Sequence, residues 1–393
     1  MSTIQPIKLL ERKRHLAGLL EMACQELELP PTKWDQAKTA YGSVAKHLAD
    51  CPVLGRFEPR IFPQGSAALL TTVKPLDREE FDIDLVCHLQ RGDDSLPQAW
   101  VKKVVGDRLR AHGTYGKMLS EYKRAWRLDY AKEAQMHLDI TPAVNHSTSR
   151  FRDLAVTDKA TRQWHETNPA GYAAEFSKVA ALLPQFAAAL QELRARAAAA
   201  DVEPLPDQRP VKGYLRRTVQ LVKRHRSLYF ERDAERAPIS VILTTLAAKS
   251  YARVVRSGRI YDNEFDVVAD TVRSMSAFVE HRWNSEWWVP NDTTEDENFA
   301  DKWNHDPKLP AAFDEWHRAA VADFDALASA ADSEAGHRIF ERIVGQRLGA
   351  SIRAKVVSTV SAARKQQTLG ITSGGLLAVG GGLPVPANTF FGA

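Results

Sequence analysis

Three aspartates carry the chemistry that this chain could do. Asp82 and Asp84 sit two apart in the apolar run Phe81-Asp82-Ile83-Asp84-Leu85-Val86-Cys87. Asp139 lies in a second run, Met136-His137-Leu138-Asp139-Ile140-Thr141-Pro142. Such runs predict strands. The period of two then sends Asp82 and Asp84 to one face and Phe81, Ile83, Leu85 and Cys87 to the other. Two carboxylates about 7 Å apart along a strand repel each other unless a cation lies between them. With Asp139 on a neighbouring strand they form a three-carboxylate cage for two hard cations, an arrangement that drives in-line attack on phosphorus. The competing readings are an edge strand with two solvated aspartates, and a turn aspartate ahead of Pro142. The apolar neighbours of Asp82 and Asp84 argue against full exposure.

Other residues could serve the same chemistry. Gly65-Ser66 follows a predicted strand and precedes a predicted helix. Glycine lets the backbone approach a phosphate, and Ser66 adds a hydroxyl beside helix N-terminal amides. Gly-Ser is also a common turn dipeptide, so the pair gains meaning only together with the aspartates. The stretch from Tyr214 to Arg226 is basic and amphipathic. It reads either as a solvated helix face or as the lining of a triphosphate pocket, with Lys223 offering a compact charge. Ser240 opens the next helix after Pro238 and places a hydroxyl at its N-terminus. His137 shares the Asp139 face and reads as a packing or hydrogen-bonding residue. Trp283, Trp287, Trp288 and Trp303 read as packing a loop onto a helical lobe.

The elements that must position these groups follow from periodicity. Helices are predicted over Ile7–Leu27 and, with Thr32 as N-cap, from just after Pro31-Thr32 towards Leu48. Strands are predicted over Pro59–Gln64, Glu80–Gln90, Lys117–Tyr130 and Gln135–Pro142, with a helix over Gln98–His112. Everything after Trp164 reads as helical, with a proline-rich linker from Asp201 to Pro210. The domain reading is residues 1–54 as bridging helices and 55–150 as the α/β core. Residues 151–365 then form a helical lobe, and 366–393 a flexible Gly-rich tail.

A chain of 393 residues, 44% apolar and 26% charged, can bury a large core in one domain or two lobes. The formal charge of +4 suits a polyanionic substrate without implying a long nucleic-acid footprint. Three scattered cysteines, Cys24, Cys51 and Cys87, suit a reducing cytoplasm and suggest neither a disulfide framework nor a zinc site. No signal segment or membrane span is expected.

With these residues placed, the chain resembles the polymerase-β-like nucleotidyltransferases. Within them it resembles the bacterial cGAS/DncV-like group, the signal synthases of CBASS antiphage systems. The resemblance spans about residues 60 to 305. It rests on Phe62-Pro63-Gln64-Gly65-Ser66, Thr72-x-Lys74-Pro75, the Asp82/Asp84 and Asp139 runs, and Arg127-Leu128-x-Tyr130. It continues at Trp164-x-x-x-Asn168-Pro169-x-Gly171-Tyr172, Leu221 to Arg226, Ser240-x-x-Leu243-Thr244-Thr245 and Glu297-Asn298-Phe299-Ala300-x-Lys302-Trp303.

The resemblance implies an α+β fold with a central mixed sheet, a large helical lobe and the active site in the cleft. It implies that ATP, with GTP or other nucleotides as further substrates, is joined into a cyclic di- or trinucleotide second messenger. A downstream effector would recognise that product. Asp82, Asp84 and Asp139 would be the catalytic and metal-binding residues, holding two Mg²⁺ ions, with Mn²⁺ as a substitute. Gln64, Gly65, Ser66, Lys223 and Ser240 would contact the nucleotide. The alternatives are a linear 2′–5′ oligoadenylate or tailing enzyme, a binding module without chemistry, and a protein- or antibiotic-modifying nucleotidyltransferase. No zinc insertion of the animal DNA sensor is present, so direct activation by double-stranded DNA is not expected. The small-residue end at Ala393 suits covalent conjugation by an E1/E2-like partner, as in some members of the family.

Overall fold

The computed structural model describes residues 4–76, 80–130, 135–148, 153–187, 212–283, 285–330, 332–371, 377–379 and 383–384. Two compact units emerge. One comprises Glu28–Ala181 with Glu280–His305; the other comprises Met1–Leu27, Leu182–Val279 and Asp306–Ala393.

The first unit is built on seven strands: β1 (Pro59–Pro63), β2 (Phe81–Asp93), β3 (Leu119–Glu121), β4 (Trp126–Asp129), β5 (Met136–Asn145), β6 (Leu154–Thr157) and β7 (Trp164–Thr167). They form one mixed sheet in the order β1-β2-β5-β4-β3, with β6 joined to β5 and β7 to β6. β2 is therefore interior, not an edge, and pairs in parallel with β5. One face of the pair (Phe81, Ile83, Leu85, Cys87, Met136, Leu138, Ile140) is buried against the helices Pro31–Ala49 and Gln98–Arg110. Each fully buried Leu or Ile contributes about 1.5–3 kcal/mol, which makes a one-residue slip of register prohibitive.

Several local expectations are corrected. Helix Pro31–Ala49 starts with Pro30 at the cap position and no side-chain cap bond, so Thr32 does not cap it. Pro31, at the first helical position, presets the first turn through its fixed φ. The single strand expected over Lys117–Tyr130 is a hairpin of β3 and β4, closed by Tyr122 N–H donating to Ala125 O at 2.9 Å. β5 runs on through Pro142. That residue falls where β5 exchanges β4 for β6 as its neighbour, a gap in the ladder that tolerates a missing N–H. The chain is not wholly helical after Trp164: β7 pairs with β6, and the helix Pro169–Ala180 is followed by a short strand at Gln185–Phe186. The sheet thus continues past residue 150. Residues 188–211, including the proline-rich stretch, lie outside the described residues.

The second unit contains helices Ile4–Glu26, Tyr214–Tyr229, Ser240–Arg256, Glu264–Ser274, Lys308–Ser329, Ser333–Val344 and Gln346–Lys365. Leu215, Val219, Val222, Phe265, Trp316 and Phe324 fill its core. Where the sequence predicted a mobile tail, Leu369–Ile371 pairs antiparallel with Leu377–Val379 and Leu383–Pro384. Residues 385–393 lie outside the described residues. Among the described residues, no helix is long and apolar enough to cross a membrane.

Candidate active site

The register of β2, β5 and β4 assembles the site. Asp84 pairs with Asp139, and Asp139 with Arg127; one row away, Asp82 pairs with His137, and His137 with Asp129. Residues opposite one another on paired strands share a face. These side chains therefore project together from the face opposite the apolar core. Asp139 is a mid-strand residue, not a turn residue.

Arg127 is the centre of the charge pattern. Its Nε donates to Asp139 Oδ1 and its Nη2 to Asp139 Oδ2, both at 2.7 Å. The same Nη2 lies 3.2 Å from Asp82 Oδ1. The Asp139 side chain is 16% exposed and that of Asp82 is 51% exposed. Desolvation lifts the Asp82 carboxyl above its ordinary range; the Arg127 charge pulls the other way, and Asp139 adds to the rise. The hydrogen bond to Asp139 raises Arg127 further into its permanently charged range. Tyr122 covers the guanidinium, with its ring centre 4.5 Å away. Buried Lys102 holds that turn by donating to Tyr122 O at 2.6 Å and Lys123 O at 2.9 Å.

The Gly65-Ser66 segment is locked to the same strand. Gln64 N–H donates to Asp84 O at 2.8 Å, and the helix Gly65–Leu69 follows at once. Gly65 has φ +57°, and a Cβ there would stand 2.6 Å from Asp84 Oδ2. Only glycine allows the backbone so close to the carboxylate. Thr71 N–H donates to Ser66 O at 3.0 Å, Thr72 Oγ1 lies 3.4 Å from Ser66 Oγ, and Gln64 Nε2 lies 3.4 Å from Thr141 Oγ1.

The donor set, three carboxylates on one face, suits hard divalent cations. Both oxygens of Asp139 and Oδ1 of Asp82 are engaged by Arg127 in this arrangement. Among the described residues, one group of three brings ligand atoms within 4.8 Å of one another: Glu80, Asp129 and His137, in the adjoining row of the same face. Asp82, Asp84 and Asp139 are not such a group.

Lys223 and Ser240 belong to the helical unit. Lys223 is 7% exposed, so it does not lie on a solvated helix face. Ser240 is the first residue of its helix, and its Oγ accepts from Arg226 Nη2 at 3.0 Å. Of the tryptophans, Trp303 is buried and meets Trp287 edge-on at 6.4 Å, both within the sheet unit, whereas Trp283 is 97% exposed. Asn168 caps the helix Pro169–Ala180 by accepting from Gly171 N–H at 2.7 Å, and donates to Thr293 O at 3.2 Å. Phe299 meets Tyr172 edge-on at 5.8 Å. The later shared motifs thus brace the helix that packs on Gly65–Leu69. Sequence reasoning gave Arg127 no role. Its place in Arg127-Leu128-x-Tyr130 was visible, but its pairing with Asp139 depends on a register that only the folded sheet supplies.

The fold is that of the polymerase-β-like nucleotidyltransferases. Residues 17–179 match the Second Messenger Oligonucleotide or Dinucleotide Synthetase domain. A c-di-GMP synthase of Roseivirga ehrenbergii is 29% identical over 384 residues, covering 97% of this chain and 98% of the relative. The cyclic dinucleotide synthase CdnG of Bradyrhizobium diazoefficiens is 32% identical over 250 residues, 58% of this chain and 56% of the relative. The structure of B. diazoefficiens CdnG in complex with GTP superposes with a TM-score of 0.65 at 22% identity, covering 89% of this chain and 99% of that one. Escherichia coli DncV with 3′-deoxy GTP superposes with a TM-score of 0.53 at 16% identity, covering 88% and 90%. The domain match and these relatives mark the chain as a nucleotidyltransferase enzyme that is similar to the bacterial cGAS/DncV-like group.

Proposed function

We propose that the chain joins two nucleoside triphosphates into a cyclic dinucleotide second messenger for antiphage defence, releasing pyrophosphate at each transfer, with GTP as the preferred substrate. The register that sets Asp82, Asp84 and Asp139 on one face carries the reaction class. The preference for GTP over ATP rests on the relative named a c-di-GMP synthase, which matches nearly the whole chain.

Asp82, Asp84 and Asp139 would hold divalent cations, Mg²⁺ or Mn²⁺. When bound, these ions supply charge neutralisation along the triphosphate and a lowered pKa for the attacking hydroxyl. Asp139, oriented by the Arg127 fork, is the acceptor for the hydroxyl proton. The Gly65 and Ser66 amides, the Ser66 hydroxyl and Gln64 contact phosphate oxygens, and Lys223 and Ser240 contact the triphosphate. The C-terminal residue Ala393, beyond the described residues, is the site for an E1/E2-like conjugating partner. Loss of conjugates on deleting Gly382 to Ala393, in cells carrying such a partner, would test that assignment.

The reaction is tested with purified protein, all four ribonucleoside triphosphates and Mg²⁺, followed by phosphatase and mass spectrometry. A phosphatase-resistant cyclic product containing guanine, absent with Asp82→Asn/Asp84→Asn, is expected. A linear product that loses its terminal phosphates would favour the 2′–5′ oligoadenylate or tailing reading.

A further inference from the structure

The Arg127 guanidinium lies between two of the candidate metal ligands. One nitrogen, Nη2, reaches both Asp139 Oδ2 at 2.7 Å and Asp82 Oδ1 at 3.2 Å, while Nε fixes the second Asp139 oxygen. The guanidinium does not arrive there by chance of rotamer. Tyr122 covers its face, and buried Lys102 pins the Tyr122 turn through two carbonyls. The contacts are also unequal: a bidentate pair with Asp139, a single longer contact with Asp82 on its half-exposed side chain. A bidentate fork is the stronger and more directional of the two. The Asp82 contact is thus the one that yields.

We infer that Arg127 is a placeholder cation: it neutralises Asp82 and Asp139 in the free enzyme, keeps free-enzyme affinity for divalent ions low, and gives up Asp82 only when a nucleoside triphosphate brings its own charge. The inference rests on the metal-dependent reading of the site given above. Its function would be to couple ion entry to substrate entry, so that the carboxylates are not loaded without something to react. Asp139 stays held by the fork throughout, which makes Arg127 a positioning residue for that carboxylate.

The sign of one measurement separates this role from a merely structural one. A unit charge roughly 6 Å from a divalent ion, even screened as by bulk water, is worth about one decade in affinity. Mn²⁺ affinity of the nucleotide-free protein, read by electron paramagnetic resonance, is therefore expected to tighten about tenfold in Arg127→Met. A structural role predicts weaker or unchanged affinity, because Asp139 would lose its orientation. Arg127→Gln keeps a donor for Asp139 without the charge; it should tighten Mn²⁺ as Arg127→Met does, and it carries the test if the methionine variant fails to fold. Arg127→Lys keeps the charge and should bind as weakly as wild type. In wild type, a non-hydrolysable nucleotide should strengthen Mn²⁺ binding far more than in Arg127→Gln. If neither uncharged variant tightens Mn²⁺, the placeholder role is wrong. If wild type with nucleotide shows no Mn²⁺ binding that Asp82→Asn/Asp84→Asn removes, the metal-dependent reading itself fails, which is a different result.

Discussion

Gly65 has room for no side chain. Its φ of +57° lies in the left-handed region, and a methyl group would meet the Asp84 carboxylate at 2.6 Å. The backbone strain alone costs roughly 1–2 kcal/mol, and the clash forces Asp84 off its rotamer. Misplacement of a reacting constellation by about 1 Å typically costs two orders of magnitude in rate. Gly65→Ala should therefore lower turnover about hundredfold while circular dichroism stays close to wild type. Near-wild-type turnover would mean that Asp84 does not act from the position seen here. The residue scale also shows what sequence reading could not reach. Period two and apolar flanks place Asp82 and Asp84 on one face without any structure. Arg127 becomes meaningful only through the pairing of β4 with β5, a contact no local pattern encodes.

At the scale of elements, β1, β2 and β5 were readable from their apolar runs and flanking turn residues, and β6 and β7 were not. β6 and β7, Leu-Ala-Val-Thr and Trp-His-Glu-Thr, are too short to show a period, so the sheet was taken to end too early. The helix after them is instead specified by its cap. Asn168 at the cap position, Pro169 at the first turn and Gly171 form a matched set: a Cβ at Gly171 would stand 2.6 Å from the Asn168 side chain. Asn168 also ties this helix to Thr293 in the segment that supplies Phe299 to Tyr172. Asn168→Ala should destabilise the protein by about 1–2 kcal/mol in chemical denaturation, the usual range for a lost cap with a side-chain tether. Asn168→Asp retains the accepting oxygen and should recover part of that loss. Equal stability of all three proteins would show that the brace contributes nothing.

For the molecule as a whole, the two units differ from the divisions read along the sequence because the sheet unit is discontinuous: residues 280–305 return to it after a long excursion through the helical unit. Such returns are set by tertiary contacts, and composition does not mark them. One buried latch contributes to how the sheet unit withstands acid. Asp158, 2% exposed, accepts from Ala160 and Thr161 N–H at 2.9 and 3.2 Å and from Arg124 Nε at 3.1 Å, with Lys123 Nζ at 3.3 Å. Burial alone would raise this carboxyl, but the amides and the two cations outweigh it and hold it at about 2, below the ordinary 3.8. A carboxylate depressed in the folded state stabilises above its unfolded pKa, and that stability is lost as pH falls through the folded value. The gap of nearly two units corresponds to about 2 kcal/mol, present at neutral pH and lost between about pH 4 and pH 2. Asp158→Asn should therefore be less stable than wild type by about that amount at pH 7 in urea unfolding, and the two proteins should converge near pH 2. The same turn, residues 122–125, carries Tyr122 over Arg127, so the variant should also loosen the guanidinium and reduce turnover more than its stability loss requires. A stability difference that persists unchanged to pH 2 would show that the asparagine acts through packing, not through the lost charge.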